Sequence, residues 1–228
     1  MVYECFWYNF QKNSLANSSY IHRKNGRSYK AIERNKENIG ETKMIIGLCG
    51  KKQSGKSTVA KYLTDNEFIE LSWAYPLKEI IGRELFGLND DQLYGSEEAK
   101  EAIIPDWGFS ARQILQLVGT ECFRKVIRDD FWVVLGKRRL LELTAKKYDI
   151  VISDCRFPNE MEAIKSVGGI TVRIIRDGQI SLDSHPSENS LNDFVADYNL
   201  MAKSGDINHL RQGIVNIIKA HTGKSYAI

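Results

Sequence analysis

Met44-Ile45-Ile46-Gly47-Leu48-Cys49 runs directly into Gly50-Lys51-Lys52-Gln53-Ser54-Gly55-Lys56-Ser57, which continues as Thr58-Val59-Ala60-Lys61-Tyr62-Leu63. The first run is apolar and too short for a helix, so it predicts a buried strand. The middle run fits G-x-x-x-x-G-K-[ST], and the last has helical character, giving the strand, loop and helix that a phosphate cradle requires. Its two glycines let the backbone turn tightly, so that successive N–H groups face phosphate oxygens, and the helix adds the positive end of its dipole. Gly50, Lys52, Ser54, Gly55, Lys56, Ser57 and Thr58 are therefore the expected contacts of a nucleoside triphosphate, ATP. Lys56 is expected to reach the β- and γ-phosphates. The Ser57 hydroxyl would take one place around Mg²⁺, an ion that keeps several of its waters.

Outward from the loop, short β-rich runs alternate with longer helical patterns, which predicts βαβ units and a parallel sheet. Strands are expected near 45–49, 68–71, 149–153, 170–175 and 197–202, and helices near 56–65, 74–86, 110–126, 131–147, 158–166 and 206–221. The fold class is α/β, a three-layer P-loop NTPase with a central parallel sheet of about five strands. The helical stretch 74–147 would form a separate layer or lobe over the sheet edge. Tyr148-Asp149-Ile150-Val151-Ile152-Ser153-Asp154 is an apolar strand ending in an acid, and ligands of open α/β sheets gather at such strand ends. Asp154 there would hold Mg²⁺, directly or through water, or orient the acceptor; the same acid could equally cap a turn. Arg156 follows at once, placed to grip a phosphate with its bidentate fork, and Pro158 suits the first turn of a helix.

At 228 residues and 43% hydrophobic, the chain can bury one full core. There is no run of 18 apolar residues and no secretory pattern at the start, so neither a membrane span nor export is expected and the protein reads as cytoplasmic. Cys5, Cys49, Cys122 and Cys155 are far apart without a C-x-x-C pair, as reduced thiols would be. Residues 1–43 hold eight Lys or Arg against four Glu and show no sustained period after the aromatics Phe6, Trp7, Tyr8 and Phe10. They read as a poorly ordered or loosely packed extension, and 44–228 as the nucleotide-binding domain. With that basic excess confined to the extension, the body has no field that argues for a nucleic-acid polymer as partner.

Four further segments carry a resemblance: Ser110-Ala111-Arg112-Gln113-Ile114-Leu115-Gln116-Leu117-Val118-Gly119-Thr120-Glu121, then Arg124 with Phe131-Trp132, then Ser153-Asp154-Cys155-Arg156-Phe157-Pro158-Asn159-Glu160, and His185-Pro186-Ser187-Glu188. Together with the P-loop, over about residues 44–222, they resemble the phage and viral deoxynucleoside monophosphate kinases, which are related to adenylate kinase and animal phosphomevalonate kinase. The resemblance implies that 74–147 includes the monophosphate-binding region, with Gln116, Gly119, Thr120 and Trp132 as substrate contacts and Arg112 and Arg124 supplying charge to the acceptor phosphate. Read as bare residues, Ile114, Leu115, Leu117 and Val118 have core spacing, and Trp132 suits a core as well as a base face. The stretch 176–190 resembles the lid that closes over the phosphates. Arg173 and Arg176 are then candidate transition-state cations; three apart on a strand they face opposite ways, and Arg176 is nearer the lid. His185 is a weaker candidate for a general base.

The expected reaction is transfer of the γ-phosphoryl group of ATP to a deoxynucleoside monophosphate, with Lys56, Asp154, Arg156 and Arg176 as catalytic groups and small-molecule nucleotides as partners. A homodimer is left open. Alternatives are a kinase for another phosphorylated small molecule, phosphomevalonate-kinase-like, and a P-loop switch or motor subunit.

Overall fold

The computed structural model describes residues 44–178 and 190–223. The expected N-terminal extension, His185 and residues 179–189 of the expected lid fall outside the described residues. Five strands form one sheet: β1 (Ile45–Cys49), β2 (Ile69–Leu71), β5 (Ile150–Ile152), β6 (Ile170–Arg176) and β7 (Tyr198–Ala202). Their spatial order is β2-β5-β1-β6-β7, and every neighbouring pair is parallel. β1 and β5 are buried along their whole length because the sheet is covered on both faces, which explains their unbroken apolar runs.

One face carries α1 (Lys56–Asp65) and, at the chain's end, α9 (Ile207–Thr222). Val59, Ala60 and Leu63 of α1 and Leu210, Ile214 and Ile218 of α9 join Ile46, Leu48, Val151, Val172 and Ile174 in one core. Against the other face lies α8 (Pro158–Lys165), in contact with β1 and β6, and α7 (Phe131–Ala145) packs on α8. The third layer is thus complete, and the β1 loop emerges at the middle of the sheet with β5 and β6 on either side.

Between β2 and β5 the chain makes a long excursion. Its main helices are α2 (Leu77–Leu85), α5 (Ala111–Gln116), which runs on into α6 (Leu117–Ile127), and α7. All four fall where the sequence predicts helix. Two details were not expected. α2 and α6 are wide, π-type helices, closed at their ends by bonds reaching five residues back, Phe86 N to Ile81 O and Arg128 N to Phe123 O, each 3.1 Å. Two five-residue helices, α3 (Asp90–Tyr94) and α4 (Glu97–Glu101), and a small hairpin of β3 (Ile103–Ile104) and β4 (Phe109–Ser110) fill the gap between α2 and α5. Both short helices start on a side-chain cap: Asn89 accepts from Gln92 N, and Ser96 accepts from Ala99 N. α2 and α6 meet at Gly119, where a Cβ would stand 2.6 Å from Leu77.

Candidate active site

The loop after β1 has the strained backbone its glycines predict. Gly50 has φ +142°, and a Cβ there would fall 2.3 Å from the Ile174 carbonyl oxygen of β6. Gly55 (φ +107°) forms the N-cap of α1. Lys56 Nζ donates to the carbonyls of Gly50 (2.6 Å) and Lys51 (2.7 Å), bridging the loop from inside. Ser54 is buried, and its hydroxyl finds no hydrogen-bond partner among the described residues. A buried orphan hydroxyl is costly; in a ring of backbone N–H groups at a helix N-terminus it fits an anionic group such as a triphosphate. Ser57 is exposed on the first turn of α1. Among the described residues no three His, Cys, Asp or Glu side chains cluster as a metal cage. The exposed Ser57 hydroxyl suits the place expected of it beside a nucleotide-bound Mg²⁺, an ion that keeps several waters.

The strand ends beside the loop carry the other predicted groups. Asp154, past the end of β5, accepts from Ser72 Oγ (2.6 Å), Trp73 N (3.0 Å) and Ala74 N (2.9 Å). Its carboxylate thus fastens β5 to the start of the excursion, the turn-capping alternative for this acid. Arg156 is fixed at its backbone, where its N–H donates to Glu160 Oε2 at 2.7 Å. Of the two β6 arginines, Arg173 donates to the carbonyls of Leu191 (2.6 Å) and Phe194, anchoring the segment that leads into β7. Arg176 reaches the tip of the phosphate loop, donating to Gln53 O (3.4 Å) and to Ser204 Oγ.

The expected acceptor wall divides. Arg112, with 14% of its side chain exposed, pairs with Glu97 (2.6 Å) and Glu101 (2.9 Å) of α4. Gln116 is half-buried, and Gly119 and Thr120 are buried in α6. Two residues expected to touch substrate do something else. Trp132 is 5% exposed; its indole N–H donates to Gly119 O at 2.9 Å, and its ring packs against Phe123 and Phe131. It joins α7 to α6 and offers no open face for a base to stack on. Arg124 is 4% exposed, donates to Glu160 and to Asp129 O (2.5 Å), and lies 3.7 Å over the Phe157 ring. With its guanidinium enclosed in protein and already paired, it cannot grip an acceptor phosphate as expected. Its partner Glu160 also accepts from the backbone of Arg156 and Phe157. Burial pushes the Glu160 carboxyl up, to about 7, against the pull of Arg124 and those two N–H groups.

Comparison with known sequences decides the family. The sequence profile of deoxynucleotide monophosphate kinase matches residues 89–214, from α3 into α9. The chain belongs to the deoxynucleotide monophosphate kinase family. A relative from Acanthamoeba polyphaga mimivirus, assigned by name to the same kinases, is 43% identical over 157 residues, spanning 64% of this chain and 80% of the relative. The deoxynucleoside-5'-monophosphate kinase of Escherichia phage T5 is 31% identical over 166 residues, 68% of this chain and 61% of its own.

The kinase has candidate site groups that its sequence did not single out. Lys78 of α2 is half-buried, with its ammonium 4.4 Å from the centre of the Tyr94 ring. Among the described residues no carboxylate pairs with it, and the charges acting on it are Asp154, Lys100, Arg156 and Glu70. Burial lowers its pKa to about 8. Tyr94 is held by its hydroxyl, which donates to Glu79 at 2.6 Å, so the aromatic floor under Lys78 is fixed. The second missed group is the α4 pair, Glu97 and Glu101. Besides Arg112 it binds Lys52 of the phosphate loop, at 3.1 and 2.7 Å. No local periodicity marks these residues; they meet because the excursion brings α4 back to the phosphate loop, where Lys52 lies.

Proposed function

We propose that the kinase transfers the γ-phosphoryl group of ATP to the 5'-phosphate of a deoxynucleoside monophosphate, with the donor in the β1–α1 loop and the acceptor beneath the excursion. The observation that carries this reading is the cradle itself: an orphan buried hydroxyl, a lysine crossing the loop and a helix N-terminus. Gly50, Lys52, Ser54, Gly55, Lys56 and Thr58 would hold the triphosphate, and Ser57 one position of a magnesium ion. That ion, when bound, would supply positive charge that offsets the negative charge of the β- and γ-phosphates as the bond between them breaks. Lys56 is one hydrogen-bond exchange away from this work, since its two carbonyl contacts can be traded for phosphate oxygens.

On the acceptor side Lys78, Arg156 and Arg112 provide the charge first assigned in part to Arg124. A phosphate oxygen is already anionic, so it needs no strong base to attack. The bond from acceptor oxygen to γ-phosphorus forms as the bond to the β-phosphate oxygen breaks. The protein's share is alignment and neutralisation of charge. Arg176, at the loop tip, would steady the triphosphate from the β6 side. Asp154 holds the floor of the acceptor site by fixing residues 72–74, where the helix carrying Lys78 begins. The family assignment favours a nucleotide acceptor over the phosphomevalonate-type alternative, and a kinase over a switch.

The test is a coupled assay against a panel of deoxy- and ribonucleoside monophosphates, run on the wild type and Lys56→Ala. Triphosphate consumption should require a monophosphate, and K56A should lose transfer while its unfolding curve is unchanged. Triphosphate hydrolysis that ignores the acceptor, or full turnover by K56A, overturns the reading.

A further inference from the structure

The contacts of α4 tie the donor loop to the acceptor pocket through shared carboxylates. Glu97 lies 3.1 Å from Lys52, 2.6 Å from Arg112 and 3.6 Å from Lys100. Glu101 lies 2.7 Å from Lys52 and 2.9 Å from Arg112. The helix is aimed by its Ser96 cap, so both carboxylates, four residues apart, come from one face. The protonation energetics agree from both sides. The hydrogen bond that Lys52 donates to Glu101 raises the Lys52 pKa, with burial opposing it. Burial alone would raise that of Glu97, but Lys52, Arg112 and Lys100 together hold it below the ordinary carboxylate range.

We infer that Glu97 and Glu101 act as a built-in anion that competes with substrate phosphates for Lys52 and Arg112. The inference rests on the reading above, that Lys52 faces the donor and Arg112 the acceptor. A phosphate recruiting either cation must draw it from a carboxylate, and each carboxylate so released stands as a like charge beside the incoming group. The pair therefore lowers affinity at both subsites, for products as for substrates. Both products are more highly charged at the transfer point than a neutral ligand would be, and a site holding only cations would release them slowly. The two glutamates give back part of that grip.

The experiment is titration calorimetry of the full chain with MgADP and, separately, with each of the four deoxynucleoside monophosphates. The proteins are wild type, E97Q, E101Q, the double variant, and E98Q as control, because Glu98 is exposed and pairs with none of these cations. Glutamine keeps the shape and one acceptor oxygen, and melting curves confirm folding. Each removed carboxylate should tighten Kd by roughly two- to fivefold, the range of partly exposed ion pairs, with E98Q unchanged. Should the double variant fold poorly, the single variants carry the test. Folded variants that bind no tighter than wild type, or more weakly, overturn the inference and make the glutamates props for Arg112 and Lys52. A wild type that binds neither MgADP nor any monophosphate would instead overturn the proposed function.

Discussion

Arg124→Met separates a structural arginine from a substrate-binding one. The guanidinium is 3% exposed, joined to Glu160 and to Asp129 O, and flat against Phe157. Removing one member of a buried pair costs about 3–5 kcal/mol, because the other charge is left without its partner. In a chain of this size each kcal/mol moves the melting midpoint by about 2–4 °C, so R124M should melt about 6–20 °C below wild type. The deficit should depend on pH in a defined direction. Burial already holds Glu160 near 7, above its ordinary 4.5, and loss of Arg124 raises it further. A carboxyl with a raised folded pKa favours the folded state fully below its unfolded value, and that advantage is lost as pH rises through the folded value. R124M should therefore fall further behind wild type at about pH 8 than at about pH 5.5. Circular dichroism melts at the two pH values, beside kcat/KM measured well below both midpoints, make the assay. A variant with wild-type melting at both pH values and a raised KM for the monophosphate alone would refute the argument and return Arg124 to the acceptor phosphate.

Trp132→Phe should lose the hydrogen bond to Gly119, worth about 1 kcal/mol, and lower the midpoint by about 2–4 °C with both KM values unchanged; a selective rise in acceptor KM would restore the stacking role. Trp132→Ala should cost about 3–5 kcal/mol and impair both substrates together. If the Lys78 ammonium faces the acceptor phosphate, wild-type acceptor KM should rise as pH climbs through about 8, where that charge is lost. Lys78→Met should start from a raised KM at neutral pH and show a flatter profile, and a profile identical to wild type would remove Lys78 from the site.

The sheet was legible because its strands are apolar runs cut short by polar turns: all five lie within two residues of their expected bounds, and α1 is placed to the residue. Burial on both faces makes such runs unmistakable, and the P-loop fixes which strand lies near the centre. The excursion was legible only where its helices are long. α3 and α4 have five residues each, too few for a period to show; their trace in the sequence is the caps, Asn89 with Gln92 and Ser96 with Ala99. For the site, the donor half follows from one motif, since a phosphate cradle is made by consecutive backbone. The acceptor half is assembled from residues far apart, so sequence names the segment and not the orientation. Trp132 turns inward because α7 starts beside Gly119, and Arg124 because Glu160 waits at the start of α8 to pair with it. Glu97 and Glu101 could be found only once the excursion was seen to return to the phosphate loop.

The strand order has a kinetic side. β1 and β2 are near in sequence but never pair, since β5 lies between them; the bond from Met44 N to Asp149 Oδ1 spans 105 residues. At roughly 5–20 residues per second of synthesis, both strands wait several seconds for the neighbour that joins them. Until then each presents open backbone edges and apolar faces, with only local helices able to form. Pairings of such long range make folding slow relative to stability and leave the nascent chain exposed to association with its own copies. The order that brings the phosphate loop to the middle of the sheet thus leaves the central strand without a sheet partner until β5 has been made, and gives a cell producing this kinase at high level reason to depend on chaperones.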